Sequence, residues 1–160
     1  MSLINEIARI EEDTFNDAWS KASLEDTFKY DHNHLMVVYE DGSFGDDFAF
    51  LGSQKMVGYI VYSLVMGEAE LLRIAVDRDY RGQGFGKKLM EEFITALQFN
   101  NADKVTLEVR SQNERAIGLY TIYGFEKIAV RPDYYLEPDD DAVIMQRPIA
   151  KNDDEINFDL

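Results

Sequence analysis

Three glycines at alternating positions, Gly82, Gly84 and Gly86, separate the largely apolar run Leu71-Leu72-Arg73-Ile74-Ala75-Val76 from a stretch with helical periodicity ending at Phe99. An apolar run, a glycine-rich turn and an amphipathic stretch predict a strand–turn–helix unit, here with the helix over Gly86 to Phe99. Glycine adopts torsions that side chains forbid and lets other groups come close to the backbone. With the positive end of a helix dipole behind it, such a turn can converge its amides on an anion such as a pyrophosphate. Lys87 and Lys88 add positive charge. Taken alone, the glycines are explained equally well by a connection that binds nothing.

The spacing narrows the choice. Glycines at 82, 84 and 86 do not make Gly-x-Gly-x-x-Gly, which counts against a dinucleotide-binding fingerprint. A phosphate-binding P-loop needs four residues between its glycines and Ser or Thr after the lysine, whereas three separate Gly82 from Gly86 and Lys88 follows Lys87.

Around this unit the chain reads as alternating helices and strands. Leu3, Ile4, Ile7 and Ile10 recur at helical spacing behind a capping Ser2, and Ser23-Leu24-Glu25-Asp26 signals a short second helix containing Leu24 and Phe28. His34 to Tyr39 and Lys55 to Val65 predict neighbouring strands. The stretch from Asp41 to Asp47 between them is turn-rich, and Phe48 to Leu51 is apolar enough to extend the second strand. Further strands are predicted over Glu70 to Val76, Lys104 to Val109, Lys127 to Val130 and Ala142 to Gln146, with a helix over Arg115 to Tyr123. Without a linker or internal repeat, one domain over residues 1–150 is expected, followed by an acidic, mobile tail over 151–160.

At 160 residues and 46% hydrophobic, with ten Phe and nine Tyr, the chain can bury a core. A formal net charge of −15 makes binding to nucleic-acid phosphates improbable and a cationic partner a better match. With no cysteine, disulfides, thiolate metal sites and a cysteine nucleophile are excluded. No early segment is apolar enough for a signal sequence or a membrane span, so a cytoplasmic protein is expected. His32 and His34 lack metal-ligand partners at suitable spacing, and no metal is expected.

Along Lys104 to Arg110, Val105, Leu107 and Val109 share one strand face and Thr106, Glu108 and Arg110 the other. By itself Glu108 is most simply a solvated strand residue, Tyr120 a packing aromatic and Asn113 a helix cap.

Arg81, Gly84 and Gly86 match the acetyl-CoA turn Arg/Gln-x-x-Gly-x-Gly/Ala of the GNAT acetyltransferase superfamily, which the chain resembles, the preceding Ile-Ala-Val included. Leu107 to Asn113, Ala116, Leu119-Tyr120, Gly124-Phe125, Tyr134-Tyr135 and Asp141-Ala142 together resemble the ribosomal-protein-alanine N-acetyltransferases. This second likeness covers most of Ile10 to Pro148 and is far more specific than the turn.

The resemblance implies an α/β fold whose mixed, mostly antiparallel sheet carries helices on both faces, with a parallel strand pair splayed at the acetyl-CoA site. It implies that the backbone of Ile74, Ala75 and Val76 holds the pantetheine arm. Arg81, Gly82, Gln83, Gly84, Phe85, Gly86 and Lys87 would hold the pyrophosphate, and Asn113 would also contact acetyl-CoA. Glu108 would be the base and Tyr120 the donor to the departing sulfur. A carboxyl of ordinary pKa about 4.3 must be buried to act efficiently as a direct base near neutral pH, and a water relay is the alternative.

The implied reaction transfers acetyl from acetyl-CoA to a primary amine, foremost the N-terminal α-amine of Ala or Ser on a basic ribosomal protein. Lysine, a polyamine or an aminoglycoside are alternative acceptors, and a non-catalytic acetyl-CoA-binding module is a further one. An acceptor groove is implied near Trp19 and Tyr134-Tyr135; by its charge the acidic run Glu137 to Asp141 could attract a basic peptide, but a solvated loop explains it more simply. Two departures stand out: the chain enters its first helix without the initial strand usual in the family, and Arg73 stands where relatives often carry Asn. Arg73 would either repel a basic peptide or pair with an acidic wall.

Overall fold

The computed structural model describes residues 2–46 and 54–151. Phe48 to Leu51, expected to extend a strand, and the tail beyond Lys151 lie outside the described residues. In chain order the elements are α1 (Leu3–Thr14), α2 (Lys21–Thr27), β1 (Asn33–Tyr39), β2 (Phe44–Asp46), β3 (Met56–Val65) and β4 (Glu68–Val76). They continue with α3 (Phe85–Phe99), β5 (Lys104–Arg110), α4 (Glu114–Ile122), β6 (Glu126–Tyr135) and β7 (Asp140–Pro148). The seven strands form one sheet in the order β2-β1-β3-β4-β5-β7-β6, in which β4 and β5 run parallel. Among the described residues no helix is long and apolar enough to cross a membrane.

Two compact units are distinguished: Met1–Ser63 with Arg73–Phe93, and Leu64–Leu72 with Ile94–Leu160. In the first, Ser2 caps α1 as its sequence predicts, its hydroxyl accepting from Asn5 N at 3.3 Å, and Ile7 and Ile10 are buried. Helix α2 begins earlier than expected. Its cap is Ser20, whose Oγ accepts from Ser23 N at 3.1 Å, so Ser23 is inside the helix and Phe28 is the residue that closes it. The backbone at Ser20 is extended, and the helix starts at once behind it.

Strands β1 and β3 pair antiparallel from Asn33↔Ser63 to Tyr39↔Met56, and their buried residues make a near-continuous apolar layer. Strand β2 lies inside the segment expected to be only turn. There Asp41 Oδ1 accepts from Ser43 N at 2.9 Å, closing a turn tight enough for Phe44 to return opposite Val38.

After β4, Asp77 caps a 3-10 turn at Arg78–Tyr80 that hydrophobic periodicity does not reveal, accepting from Asp79 N at 3.1 Å. The same carboxylate, 3% exposed, accepts from Arg9 Nη2 at 2.6 Å. Burial pushes the Asp77 carboxyl up, but the Arg9 and Asp79 donors hold it below the usual carboxylate range. Asp77→Asn is expected to cost about 1.5–3 kcal/mol at neutral pH, the scale of a hydrogen bond to a charged group. A group with a depressed folded pKa stabilises above its unfolded value, and that contribution is lost as pH falls through the folded one. The deficit measured by urea denaturation therefore shrinks as the pH drops below the ordinary carboxylate range.

In the second unit, the β4–β5 ladder runs from Glu68↔Lys104 to Leu71↔Leu107. Strand β7 pairs antiparallel with β5 from Lys104↔Pro148 to Arg110↔Ala142. The expected alternation along β5 is present, with Val105, Leu107 and Val109 buried and Thr106, Glu108 and Arg110 on the other face. Leu97, Ala102 and Phe125 are buried in the same unit. Strand β6 runs well beyond the expected Lys127 to Val130. It contains Pro132 and an irregularity between Arg131 and Tyr135, where Asp133 takes a φ of 53° and donates its N–H to Asp141 Oδ1 at 2.8 Å. A break in the pattern thus looks like a strand end although the pairing resumes.

Candidate functional site

The turn from Arg81 to Gly86 belongs to the first unit. Gly82 and Gly84 take φ values of +76° and +87°, where an L side chain is strained, although a Cβ at either would meet nothing within 4 Å. What glycine supplies here is backbone conformation, not room. Gly86, where the helix was expected to begin, is the second residue of α3, which starts one residue earlier at Phe85. The first bond of that helix runs from Lys88 N to Gly84 O at 3.1 Å. The N–H groups of Phe85, Gly86 and Lys87 therefore precede the intrahelical ladder, at the positive end of the dipole.

Side chains brace the turn. Arg81 donates from Nε to Val76 O at 3.0 Å and from Nη2 to Thr14 Oγ1 at 2.9 Å, tying it to the end of β4 and to α1. Gln83 reaches back to Asp79 O at 3.4 Å. Lys88 lies against Gly42. The hydrogen bonds from Ser43 hold Asp41 below the usual carboxylate range and the Lys88 charge adds to them. Of the two lysines expected to serve an anion, Lys88 is thus engaged by a neighbouring turn. Ala75 is buried, with Ile74 and Val76 partly covered on either side.

The second unit gathers the titratable groups. Glu108, its side chain 27% exposed, pairs through Oε1 with Arg131 Nη1 at 3.6 Å and accepts a hydrogen bond from the Tyr134 hydroxyl. That hydrogen bond, with the carboxylate's charge, raises the Tyr134 phenol. Glu70 joins them because the parallel register sets it beside Thr106, and Glu108 follows two residues on along the same face. Burial and then the charge of Glu108 push the Glu70 carboxyl up, and Arg131 opposes the rise. With part of its side chain exposed, the Glu108 carboxylate is within reach of water.

Tyr120 is buried, its ring 5.8 Å from that of Phe125. Burial first, and Tyr135 second, push its phenol up to about 12, so it is fully protonated at neutral pH. It is both a packing residue and a competent hydrogen-bond donor. Asn113 caps α4, its Oδ1 accepting from Ala116 N at 3.2 Å. In the acidic connection, Asp140 accepts from the Ser111 hydroxyl and from Gln112 N, and Asp141 from Asp133 N. These two carboxylates hold local structure.

Arg73 resolves into the acid-paired alternative. In the first unit its Nε lies 3.4 Å from Oε1 of the fully buried Glu11, and its Nη2 donates to Asp17 O at 2.8 Å. Its guanidinium sits over the rings of Phe15 and Trp19, at 4.2 and 4.8 Å from their centroids. Glu11 also accepts from Tyr59 Oη at 2.7 Å and from Trp19 N at 3.0 Å. Trp19, expected at an acceptor groove together with Tyr134, has Arg73 and Glu11 as its partners, and Tyr134 has Glu108 and Arg131.

Two residues of the carboxylate group escaped sequence reasoning. Glu70 reads as one more solvated strand glutamate until its parallel partner is known. Arg131 reaches Glu108 across β7, past an irregular ladder. The only available signal was the alternation that places Glu70 opposite the buried faces of Ala69 and Leu71.

Comparison with known proteins adds family evidence. The Acetyltransferase (GNAT) family model matches residues 4–125. The ribosomal protein bS18-alanine N-acetyltransferase of Escherichia coli strain K12 is 39% identical over 106 residues, covering 65% of this chain and 72% of that protein. The enzyme of that description from Haemophilus ducreyi is 30% identical over 144 residues, 88% of this chain and 90% of the relative. Among solved structures, the Escherichia coli ribosomal-protein-S18-alanine N-acetyltransferase superposes with a TM-score of 0.78 at 29% identity, covering 94% of this chain and 92% of that one.

Proposed function

The chain belongs to the GNAT acetyltransferase family and is an acetyl-CoA-dependent N-acetyltransferase, and on that premise we propose that its acceptor is the N-terminal α-amine of a basic, ribosomal protein. The relatives described above carry that activity in their names. The observation that carries the proposal is Glu108, a water-accessible carboxylate on the face of β5 opposite Val105, Leu107 and Val109, hydrogen-bonded by Tyr134 and loosely paired with Arg131. An ordinary α-amine, with a pKa about 7.7–8.0, is a better nucleophile near neutral pH than lysine at about 10.4, because more of it is neutral. The net charge of −15 favours encounter with a basic acceptor, and the absence of cysteine suits a cytoplasmic site of action.

In this proposal the amides at Gly82 to Lys87, with Arg81 bracing them, hold the pyrophosphate. The backbone of Ile74 to Val76 holds the pantetheine arm, and Asn113 combines capping with a cofactor contact. Glu108 accepts a proton from the acceptor nitrogen through a water. The Tyr120 phenol, held near 12, is too weak an acid to protonate fully a thiolate whose own pKa is about 8.5. It serves by hydrogen-bonding the charge that develops on sulfur.

Mass spectrometry after incubation with acetyl-CoA tests the acceptor. An Ala-starting basic peptide, its N-terminally blocked lysine-containing version and a polyamine are offered in parallel. Acetyl is expected on the α-amine, and Tyr120→Phe is expected to slow its transfer about tenfold or more. Acetyl found only on lysine or the polyamine overturns the proposal.

A further inference from the structure

We propose that Glu70 is a second catalytic carboxylate, which takes the first proton from the acceptor ammonium while Glu108 takes the second as the acyl bond forms. The inference rests on Glu108 being the base of the proposed reaction. An ammonium nitrogen starts with three protons and an amide nitrogen ends with one, so two must leave. A single carboxylate would have to be emptied between them. Two carboxylates on one sheet face remove that requirement.

The geometry supplies the pair. The register Glu70↔Thr106 puts Glu70 on β4 beside the face of β5 that carries Glu108. Arg131 and Tyr134 of β6 complete the charged surroundings, and both interact with each carboxylate. Along β4 the next acidic residue on that face, Glu68, is paired with Lys104 at 3.4 Å. Glu70 is exposed on this face, open to an arriving acceptor, and the charge of Glu108 acts on it as a shared site requires. The Arg131 guanidinium is 61% exposed, so its pair with Glu108 is weakly held and an arriving ammonium can replace it.

The steps balance. The acceptor R–NH3+ gives a proton to the Glu70 carboxylate, directly or through a water, leaving R–NH2 and a neutral Glu70. The amine lone pair forms the N–C bond at the thioester carbonyl, whose π pair moves to oxygen. Glu108 then takes a proton from the positively charged nitrogen of the adduct. The C–S bond breaks as the carbonyl reforms, and CoA leaves with the electron pair. One carboxyl proton passes to the thiolate and the other to solvent. The sum is R–NH3+ plus acetyl-CoA giving the acetamide, CoA thiol and one proton.

The test compares Glu70→Gln, Glu108→Gln and the charge control Glu68→Gln on two acceptors. One is an Ala-starting basic peptide. The other is the same peptide begun with an aminooxyacetyl group, whose nucleophile is already neutral at the assay pH and needs to lose only the second proton. For Glu70→Gln, kcat/KM on the Ala peptide is expected to fall about 20-fold near pH 6.5, the inverse of the neutral fraction of an ordinary α-amine there. The deficit closes to about 1.1-fold by pH 9, where solvent has done the work of Glu70. On the aminooxy peptide Glu70→Gln matches the parent and Glu68→Gln matches it on both acceptors, whereas Glu108→Gln is slow on both. A Glu70→Gln deficit equal on the two acceptors and flat with pH reduces Glu70 to a structural residue and overturns the inference. A fully active Glu108→Gln overturns instead the reading on which it rests.

Discussion

Glu108→Gln is expected to lower the single-turnover rate of acetyl transfer to an Ala-starting peptide about 100- to 10,000-fold, the range spanned by positioned general bases. The reason lies in the fate of the tetrahedral adduct. An α-amine of pKa about 7.7–8.0 and a thiol of about 8.5 are comparable leaving groups, so an adduct still protonated on nitrogen returns to reactants as readily as it goes forward. Removing that proton makes the nitrogen a poor leaving group and commits the adduct to expelling sulfur. Glutamine keeps the shape and can still accept from Tyr134, but it cannot take the proton. The interaction is needed only after attack, so kcat and kcat/KM fall together while acetyl-CoA binding, read by calorimetry, stays within about twofold. A rate within about threefold of the parent, with acetyl still placed on the α-amine, would remove Glu108 from the chemistry.

The largest expected loss of stability comes from Arg73→Met, at about 3–5 kcal/mol. The substitution withdraws the cation that faces Glu11, a carboxylate with no exposed surface, and leaves that charge to the Tyr59 hydroxyl and the Trp19 N–H. It also removes the bond to Asp17 O and the contact with the Phe15 and Trp19 rings, which hold the connection between α1 and α2. Urea denaturation at neutral pH reads the effect as a lower midpoint. If the cost is that of an orphaned buried charge, Glu11→Gln in the Arg73→Met background restores about half of the loss, because the neutral amide removes that charge while its oxygen accepts from Trp19 N and its NH2 donates to the Tyr59 hydroxyl. A loss under about 1 kcal/mol in the single variant would show that Arg73 stabilises only as packing.

The position of Arg73 illustrates how sequence and structure share the work. A large cation in the strand leading to the turn was visible at once, and so were its two alternatives, repulsion of a basic acceptor or pairing with an acid. The choice depended on Glu11, whose helical position does not announce that it turns inward beneath Tyr59. The same holds for Asn113 and Tyr120, where capping or packing and a role in the reaction occupy the same atoms.

By itself the sequence determined what depends on near neighbours along the chain. This includes the Ser2 cap, the alternation that turns Val105, Leu107 and Val109 inward, and the strand–turn–helix unit at Gly82 and Gly84. It also carried the family, because the spacing of short blocks survives when each block alone is ambiguous. Tertiary structure alone decided which distant side chains share a charge environment. Glu70 meets Glu108 only through a parallel register, Arg131 only across β7, and Arg73 finds Glu11 from the far end of α1. Periodicity records which face a side chain takes, whereas register and ion pairing are set by contacts summed over the whole sheet, which no local window contains.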